Sequence, residues 1–252
     1  MTLLVEHPVA WFVVSFVFLY FAAQIGVFFR KRRSARVIID DKDFDLVVGA
    51  TLTLLGLIIG FTFSMAVTRY DQRKNLEEAE ANAIGTEYVR AELLPSGDAA
   101  KVRTLLRDYT DQRILYYSSR GAERPQQINT NIAQLQSNLW SSVTAANAPR
   151  DNVTALVLSG MNDVLNSQGY TEAAWRNRVP LAAWVLLVII AFFCNLLLGL
   201  RSEQHSWVLL VILPIALSVS FFLIADIDSP RSGVIRVVPQ NLQSLADSLR
   251  SQ

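Results

Sequence analysis

The sequence has almost none of the residues from which metal sites, disulfide frameworks and catalytic centres are built. It contains one cysteine, Cys194, and two histidines, His7 and His205, among 252 residues. A single cysteine excludes an internal disulfide, and neither histidine has a partner at metal-ligand spacing. The sequence also contains no phosphate-binding glycine loop and no HExxH zinc motif. We therefore expect no metal, no cofactor and no enzymatic activity.

Basic residues are too evenly balanced by acidic ones for a nucleic-acid partner to be expected. The formal net charge is +1. The one concentrated basic patch, Arg30–Arg33 with Arg36, directly follows an apolar run. In that position it is a topology signal for membrane insertion rather than a surface for a nucleic-acid groove.

Long apolar runs dominate what is present. Hydrophobic residues make up 52% of the chain, and the mean hydropathy is +0.29. Four runs are each close to the length that crosses a hydrocarbon core of ~30 Å as a helix. They are Pro8–Phe29, Leu46–Val67, Pro180–Leu200 and Trp207–Asp226. We expect the first to be a retained span rather than a signal peptide, because its basic residues follow it. The sequence predicts an all-α membrane protein with four transmembrane helices.

The segment Arg69–Arg178, between the second and third runs, is charged and polar. It carries 13 basic and 13 acidic residues, which we expect to lie on helix surfaces. Breaks at Pro95–Gly97, Gly121–Pro125 and Ala148–Arg150 divide it into four helical pieces. The first of these continues the second span, so that residues 46–94 form one long helix.

Each helical piece has an apolar stripe at helical spacing, which predicts a helical bundle outside the membrane. The predicted core residues are Leu76, Ile84, Tyr88, Ala91, Val102, Leu105, Leu106, Tyr109, Tyr116, Ile128, Ile132, Leu135, Leu139, Val143, Val153, Val157, Met161, Val164 and Leu165. Asp98 and Asp151 are expected as helix N-caps, and Pro125 in a first helical turn.

These patterns predict four parts of the chain. Residues 1–67 hold the first two spans and the basic loop. Residues 68–179 form the helical extramembrane domain, residues 180–227 a transmembrane hairpin, and residues 228–252 a C-terminal tail.

The second span is unusually rich in small and hydroxyl residues for a helix that only anchors a protein. They are Gly49, Thr51, Thr53, Gly56, Gly60, Thr62 and Ser64. Such side chains face either neighbouring helices or a water-filled path. Tight helix packing through Gly56 and Gly60 and a polar pathway both remain open on spacing alone.

Two short motifs resemble segments of a known family of membrane proteins. Gly60–Phe61, seven residues before Thr68–Arg69, is similar to the second, pore-lining bestrophin helix. The pattern D-x-D-x-P-x-x-G, at Asp226, Asp228, Pro230 and Gly233, is similar to the acidic turn after the fourth bestrophin span. The four-span plan with a helical insert also matches. The chain resembles bestrophin-like bacterial membrane proteins still more closely, over residues 45–245.

The resemblance implies a homo-oligomeric ion channel, a pentamer around the second spans, in the bacterial inner membrane. Its partners would be further copies of itself, membrane lipids and small monovalent ions, with chloride or other anions favoured. Thr53, Leu57, Phe61 and Ser64 would line the pore and its neck, and Arg69 would place positive charge at the pore end. The departures are Thr53 at an apolar neck position, Tyr70–Asp71 in place of a double Trp, and Arg231 in place of Phe. The acidic run of calcium-gated members is missing, so calcium gating is not expected.

The distribution of basic residues indicates a second class of function, independently of the family resemblance. The loop Arg30–Lys42 carries six Lys and Arg residues, which assigns it to the cytoplasm. The extramembrane domain would then be periplasmic, as in a membrane sensor or scaffold without conductance. A bestrophin plan places the same domain in the cytoplasm, so the two hypotheses predict opposite topologies.

Overall fold

The computed structural model describes residues 8–32, 41–119, 125–145, 152–201 and 207–251, and nearly all of these residues are helical. Their helices are α1 (Pro8–Arg32), α2 (Asp41–Arg90), α3 (Ser96–Ser118), α4 (Pro125–Ala145), α5 (Asn152–Arg176), α6 (Leu181–Arg201), α7 (Trp207–Asp228) and α8 (Gln240–Arg250). A short 3-10 turn, Ala91–Leu93, follows α2, and no β-strand occurs in these ranges. The predicted all-α class is confirmed.

Within the described ranges, four segments are helical, long enough and apolar enough to cross a membrane. They correspond to α1, the first part of α2, α6 and α7, which are the four predicted spans. The basic residues Arg33 and Arg36, the histidines, and the connection between α6 and α7 lie outside the described residues.

Helix α2 runs without interruption for 50 residues, from Asp41 to Arg90. At 1.5 Å per residue it is about 75 Å long, more than twice the hydrocarbon thickness of a bilayer. The predicted single helix, half apolar and half charged, is therefore confirmed, although it begins five residues before Leu46. Its end at the 3-10 turn precedes Pro95, which cannot continue a helix.

The chain divides into two compact units, of which the first comprises residues 1–68 and 178–235. Within this unit α1 and α6 approach until their backbones touch at two glycines. A Cβ placed on Gly199 would lie 2.0 Å from the carbonyl oxygen of Ala23, and one on Gly26 would lie 2.2 Å from that of Leu196. Small residues that allow such an approach are the usual means of helix association in lipid.

The second unit comprises residues 69–177 and 236–252, and its core follows the predicted stripes. Most of the predicted core residues are buried, and Leu76, Leu105, Leu135 and Leu165 are partly buried. The side chain of Val153 lies outside the described residues, as do Asp151 and the breaks at 121–124 and 148–150. Pro125 begins α4, as predicted.

The predicted N-cap at Asp98 is wrong. Helix α3 begins at Ser96 with Pro95 in the N-cap position, so Asp98 lies inside the first turn. There its negative charge still favours the helix, because the N-terminal end of the helix dipole is positive.

The expectation that the acidic residues of this unit lie on helix surfaces is also wrong for three of them. Glu77, Glu80 and Glu87 on α2 are each 1% exposed or less. The Glu80 carboxylate accepts hydrogen bonds from Arg113 of α3 and from the hydroxyls of Tyr117 and Thr171, both at 3.2 Å. This buried polar cluster connects α2, α3 and α5.

Replacing Gly199 by Ala tests the backbone contact between α1 and α6. The added Cβ would clash with the backbone of Ala23, so we expect a loss of roughly 1–3 kcal/mol of stability. The measurement is the thermal midpoint of the detergent-purified protein. Gly169→Ala, where an added Cβ meets nothing within 4 Å among the described residues, is the control and should be neutral or stabilising. Equal midpoints for the two variants would contradict the described crossing.

Candidate functional site

The membrane half of α2 turns one side toward its own chain. Leu55, Thr62 and Ala66 are at most 2% exposed, and they are the buried residues of the stretch 46–67. At 100° per residue they fall within about 40° of the helix circumference. The rest of this span has little cover from its own chain.

The residues predicted to line the pore lie on the opposite side of the helix. Thr53, Leu57 and Ser64 are displaced about 160–200° from Leu55, and Phe61 about 240°. All four are exposed, with Leu57 at 54% and Phe61 at 64%. The face thus combines two large apolar side chains with two hydroxyl groups.

The threonine hydroxyl groups of this span, and that of Thr68 just after it, donate hydrogen bonds to the helix that carries them. Thr53 donates to the carbonyl oxygen of Gly49 at 2.9 Å, and Thr51, Thr62 and Thr68 bond in the same way four residues back. The bond occupies the donor of the Thr53 hydroxyl but leaves oxygen lone pairs as acceptors. In this conformer Thr53 therefore presents acceptor capacity to its surroundings.

The glycines of the same span have no packing partner within the described part of the chain. A Cβ built on Gly49, Gly56 or Gly60 would meet no atom within 4 Å. If the Gly56-xxx-Gly60 pattern serves helix packing, the partner helix must come from another molecule.

Arg69 follows this span and belongs to the second unit. Its side chain is partly buried, and its Nη1 atom is enclosed without a hydrogen-bond partner among the described residues.

The turn after α7 brings together the four residues predicted from the D-x-D-x-P-x-x-G pattern. Asp226 is 1% exposed, and its two carboxylate oxygens accept the backbone N–H groups of Val234 and Ile235, both at 2.8 Å. Asp228 accepts the backbone N–H of Val179 at 3.0 Å through Oδ1. Both aspartates thus hold backbone segments in place.

Pro230 and Gly233 complete this turn for steric reasons. Pro230 is buried just after the last residue of α7. A Cβ on Gly233 would lie 2.4 Å from the carbonyl oxygen of Asp226 and 3.2 Å from that of Ser229. Only glycine fits at position 233. The pattern therefore specifies a compact turn that fixes the backbone at the end of the fourth span.

The comparison with protein families agrees with these features. A family model described as a Bestrophin-like domain matches residues 13–242. The chain belongs to the Bestrophin-like family.

Solved structures share the fold of this bestrophin-like chain. A variant of a bacterial bestrophin homologue from Klebsiella pneumoniae has a TM-score of 0.67 at 13% identity, and the match covers 95% of this chain and 97% of that one. A second variant of that homologue gives 0.67 at 13% identity over 97% and 98% of the two chains. A structure described as a membrane protein gives 0.68 at 14% identity over 95% and 97%. The search of curated proteins found no significant match.

The buried charged residues of the bestrophin-like domain were missed by sequence reasoning. Glu77 receives the N-terminus of α8, because its carboxylate accepts the backbone N–H of Leu242 at 2.9 Å and the Asn241 side chain at 2.7 Å. Glu77, Glu80 and Glu87 belong to a buried face of α2 formed by positions 73, 77, 80, 84, 87 and 91. The 4-3-4-3-4 spacing of these positions was the signal that could have indicated their burial, although the face contains both charged and apolar side chains.

Replacing Asp226 by Asn tests whether the turn is a structural brace. Asn keeps one acceptor and places an N–H₂ group against a backbone donor, so we expect a loss of roughly 1–3 kcal/mol of stability. The thermal midpoint measures it, with Asp247→Asn on the exposed side of α8 as the control. A calcium chelator should leave the wild-type midpoint unchanged, because backbone donors already occupy both Asp226 oxygens. A midpoint that falls with the chelator would instead indicate a cation site.

Proposed function

We propose that this chain forms a homo-oligomeric ion channel whose pore is lined by the membrane half of α2. The observation that carries the proposal is the exposure of that helix. Its most apolar stretch is 11% buried within the chain, compared with 28% to 50% for the other candidate spans. A span so poorly covered needs partners other than its own chain, and further copies would supply them around a common axis.

The chemistry of the exposed face favours an ion pathway over contact with lipid alone. Thr53 and Ser64 place hydroxyl groups on the side away from the protein, where a purely lipid-facing helix would carry apolar residues. Leu57 and Phe61 lie between them on the same face. In a ring of copies these two positions would form an apolar constriction, which can close to ions by losing its water.

The family supports the same proposal. Bestrophins are ion channels, and the second span of this chain resembles their pore-lining helix at Gly60–Phe61. A pentamer in the bacterial inner membrane is the assembly that this resemblance implies. The proposed partners are therefore further copies, lipids and small monovalent ions.

The preference for anions rests on Arg69 alone. A ring of Arg69 side chains at the pore end would raise the local concentration of anions. Thr53 acts in the other direction, because its donor is held by Gly49 and its free lone pairs suit a cation. We propose chloride or another small anion as the conducted ion, with Arg69 as the residue that determines this preference.

A sensor or scaffold without conductance is the second candidate, and the charge at one end of the spans favours it. Arg30, Lys31 and Arg32 end α1, and Arg201 ends α6. Arg30 donates to the carbonyl oxygen of Arg201 at 3.2 Å, and Arg201 pairs with Asp45 at the start of α2. The positive-inside rule assigns this basic end to the cytoplasm and thus the domain beyond the other end of α2 to the periplasm.

Replacing Phe61 by Ala tests the proposed neck. Removing the ring widens the constriction and makes it easier to wet, so the conductance of reconstituted protein should rise or lose its closed state. Phe63→Ala is the matched control, because Phe63 is also exposed but lies about 160° from Phe61 around the helix. Equal effects of the two substitutions, or silence of wild type and both variants, would remove the support for this neck.

In the same assay Arg69→Gln should shift the reversal potential toward less anion preference.

Cysteine labelling distinguishes the two candidate functions. In a Cys194→Ser background, Ser118→Cys places an exposed thiol at the end of α3. If the channel proposal holds, a membrane-impermeant thiol reagent should label it only after cells are lysed. Labelling in intact cells would place the domain outside and favour the sensor or scaffold.

A further inference from the structure

Glu87 is a buried carboxyl group that neither the proposed ion pathway nor the polar cluster around Glu80 uses. It lies on the water-exposed half of α2 and is 0% exposed. Neither of its carboxylate oxygens has a hydrogen-bond partner among the described residues. An ionised carboxylate in this position would lose its hydration without gaining a hydrogen bond in return. The presence of a glutamate at this buried position therefore needs an explanation.

The carboxyl group occupies a notch made by a missing side chain on α5. A Cβ built on Gly160 would lie 2.0 Å from Oε2 of Glu87 and 2.5 Å from Nη1 of Arg90. Met161 and Val164, which follow Gly160 on α5, are both 0% exposed. The carboxyl group therefore lies against the α5 backbone, with the Arg90 guanidinium beside it in the same notch.

The charges near Glu87 do not neutralise it. Among the described residues, Arg90 on the same helix and Asp163 on α5 are the charged groups that act on the pKa of Glu87, and they have opposite effects. No ion pair within 4.0 Å joins Glu87 to a described residue. Arg103 and Arg107 of α3 bond to Tyr88 instead, and Glu92 of the 3-10 turn pairs with Arg103.

We propose that Glu87 is a proton-binding site that keeps α2 and α5 packed while it is protonated and loosens their contact when it ionises. Burial is the main cause that raises the pKa of Glu87, with Arg90 lowering it and Asp163 raising it, to a value of about 8. The folded protein thus holds this proton over a range in which the unfolded chain, with a value near 4.5, has lost it. The contribution of Glu87 to stability is therefore complete at acidic pH and declines as pH rises from about 4.5 through about 8.

Leu57 and Phe61 of the proposed channel lie on the same helix as Glu87. The inference itself concerns only the packing of α2 on α5. Its test uses no ion conductance, and its failure is therefore distinguishable from a failure of the channel proposal.

Infrared difference spectroscopy on the purified full-length protein detects the proton directly. Between about pH 6 and about pH 10 the wild type should lose the C=O stretch of a protonated carboxylic acid. Glu87→Gln should lack this band change, while Glu78→Gln, an exposed glutamate of the same helix, should keep it. A band change that survives in Glu87→Gln would overturn the assignment.

The thermal midpoint and hydrogen exchange measure the consequence for packing. From about pH 6 to about pH 10, the wild type should lose several degrees of thermal midpoint relative to Glu87→Gln, and exchange should accelerate in α5. Glu87→Met, an apolar side chain of similar length, should show the same insensitivity to pH and provides a second variant if Gln folds poorly. Identical pH profiles for the wild type and the neutral variants would overturn the proposal.

Discussion

The structure of the extramembrane unit depends on one buried carboxylate. Glu80 lies at full burial on α2 and accepts hydrogen bonds from Arg113 and Tyr117 of α3 and from Thr171 of α5. The Arg113 guanidinium also lies over the rings of Tyr116 and Tyr117, at 4.6 and 5.7 Å from their centroids. Removing one partner of such a buried pair typically costs roughly 3–5 kcal/mol, because the other charge is left unpaired. Since donors and acceptor must meet in one geometry, the cluster fixes the register of three helices that apolar packing alone would allow to slide.

In the membrane unit the main constraint is the distance between the backbones of neighbouring helices. Gly26 and Gly199 let α1 and α6 touch, whereas Gly49, Gly56 and Gly60 in the membrane half of α2 have open space around them among the described residues. The membrane half of α2 is therefore the part of this unit that its own chain leaves uncovered. The charged half of α2 is held by polar contacts with its own chain, whereas the membrane half has little contact with it. Such a helix is suited to assembly with further copies of the chain. This contrast is the physical basis of the proposed channel.

Residue spacing was sufficient to predict the spans, the 50-residue helix and most of the second core, because apolar side chains must face away from water at every turn. The D-x-D-x-P-x-x-G turn was singled out by the family resemblance instead. The partners of its Asp226 lie eight and nine residues away, whereas Asp228 binds Val179, 49 residues away. The roles of Glu77 and Glu80 could not be predicted, since their partners Leu242 and Thr171 lie 165 and 91 residues away. In the sequence alone, charged residues whose partners are so distant cannot be distinguished from solvent-exposed surface residues. The pore roles of Thr53, Leu57, Phe61, Ser64 and Arg69 remain predictions.

The central claim is that ions pass along the α2 face that carries Leu57, and blocking that face chemically tests it most directly. Protein with Cys194→Ser and Leu57→Cys would be reconstituted in a planar bilayer and its current recorded before and after a thiol-reactive reagent is added. The account predicts that modification of Leu57→Cys blocks the current, whereas modification of Phe63→Cys, on another side of the helix, leaves it unchanged. A current that is insensitive at position 57, or blocked equally at both positions, would contradict it.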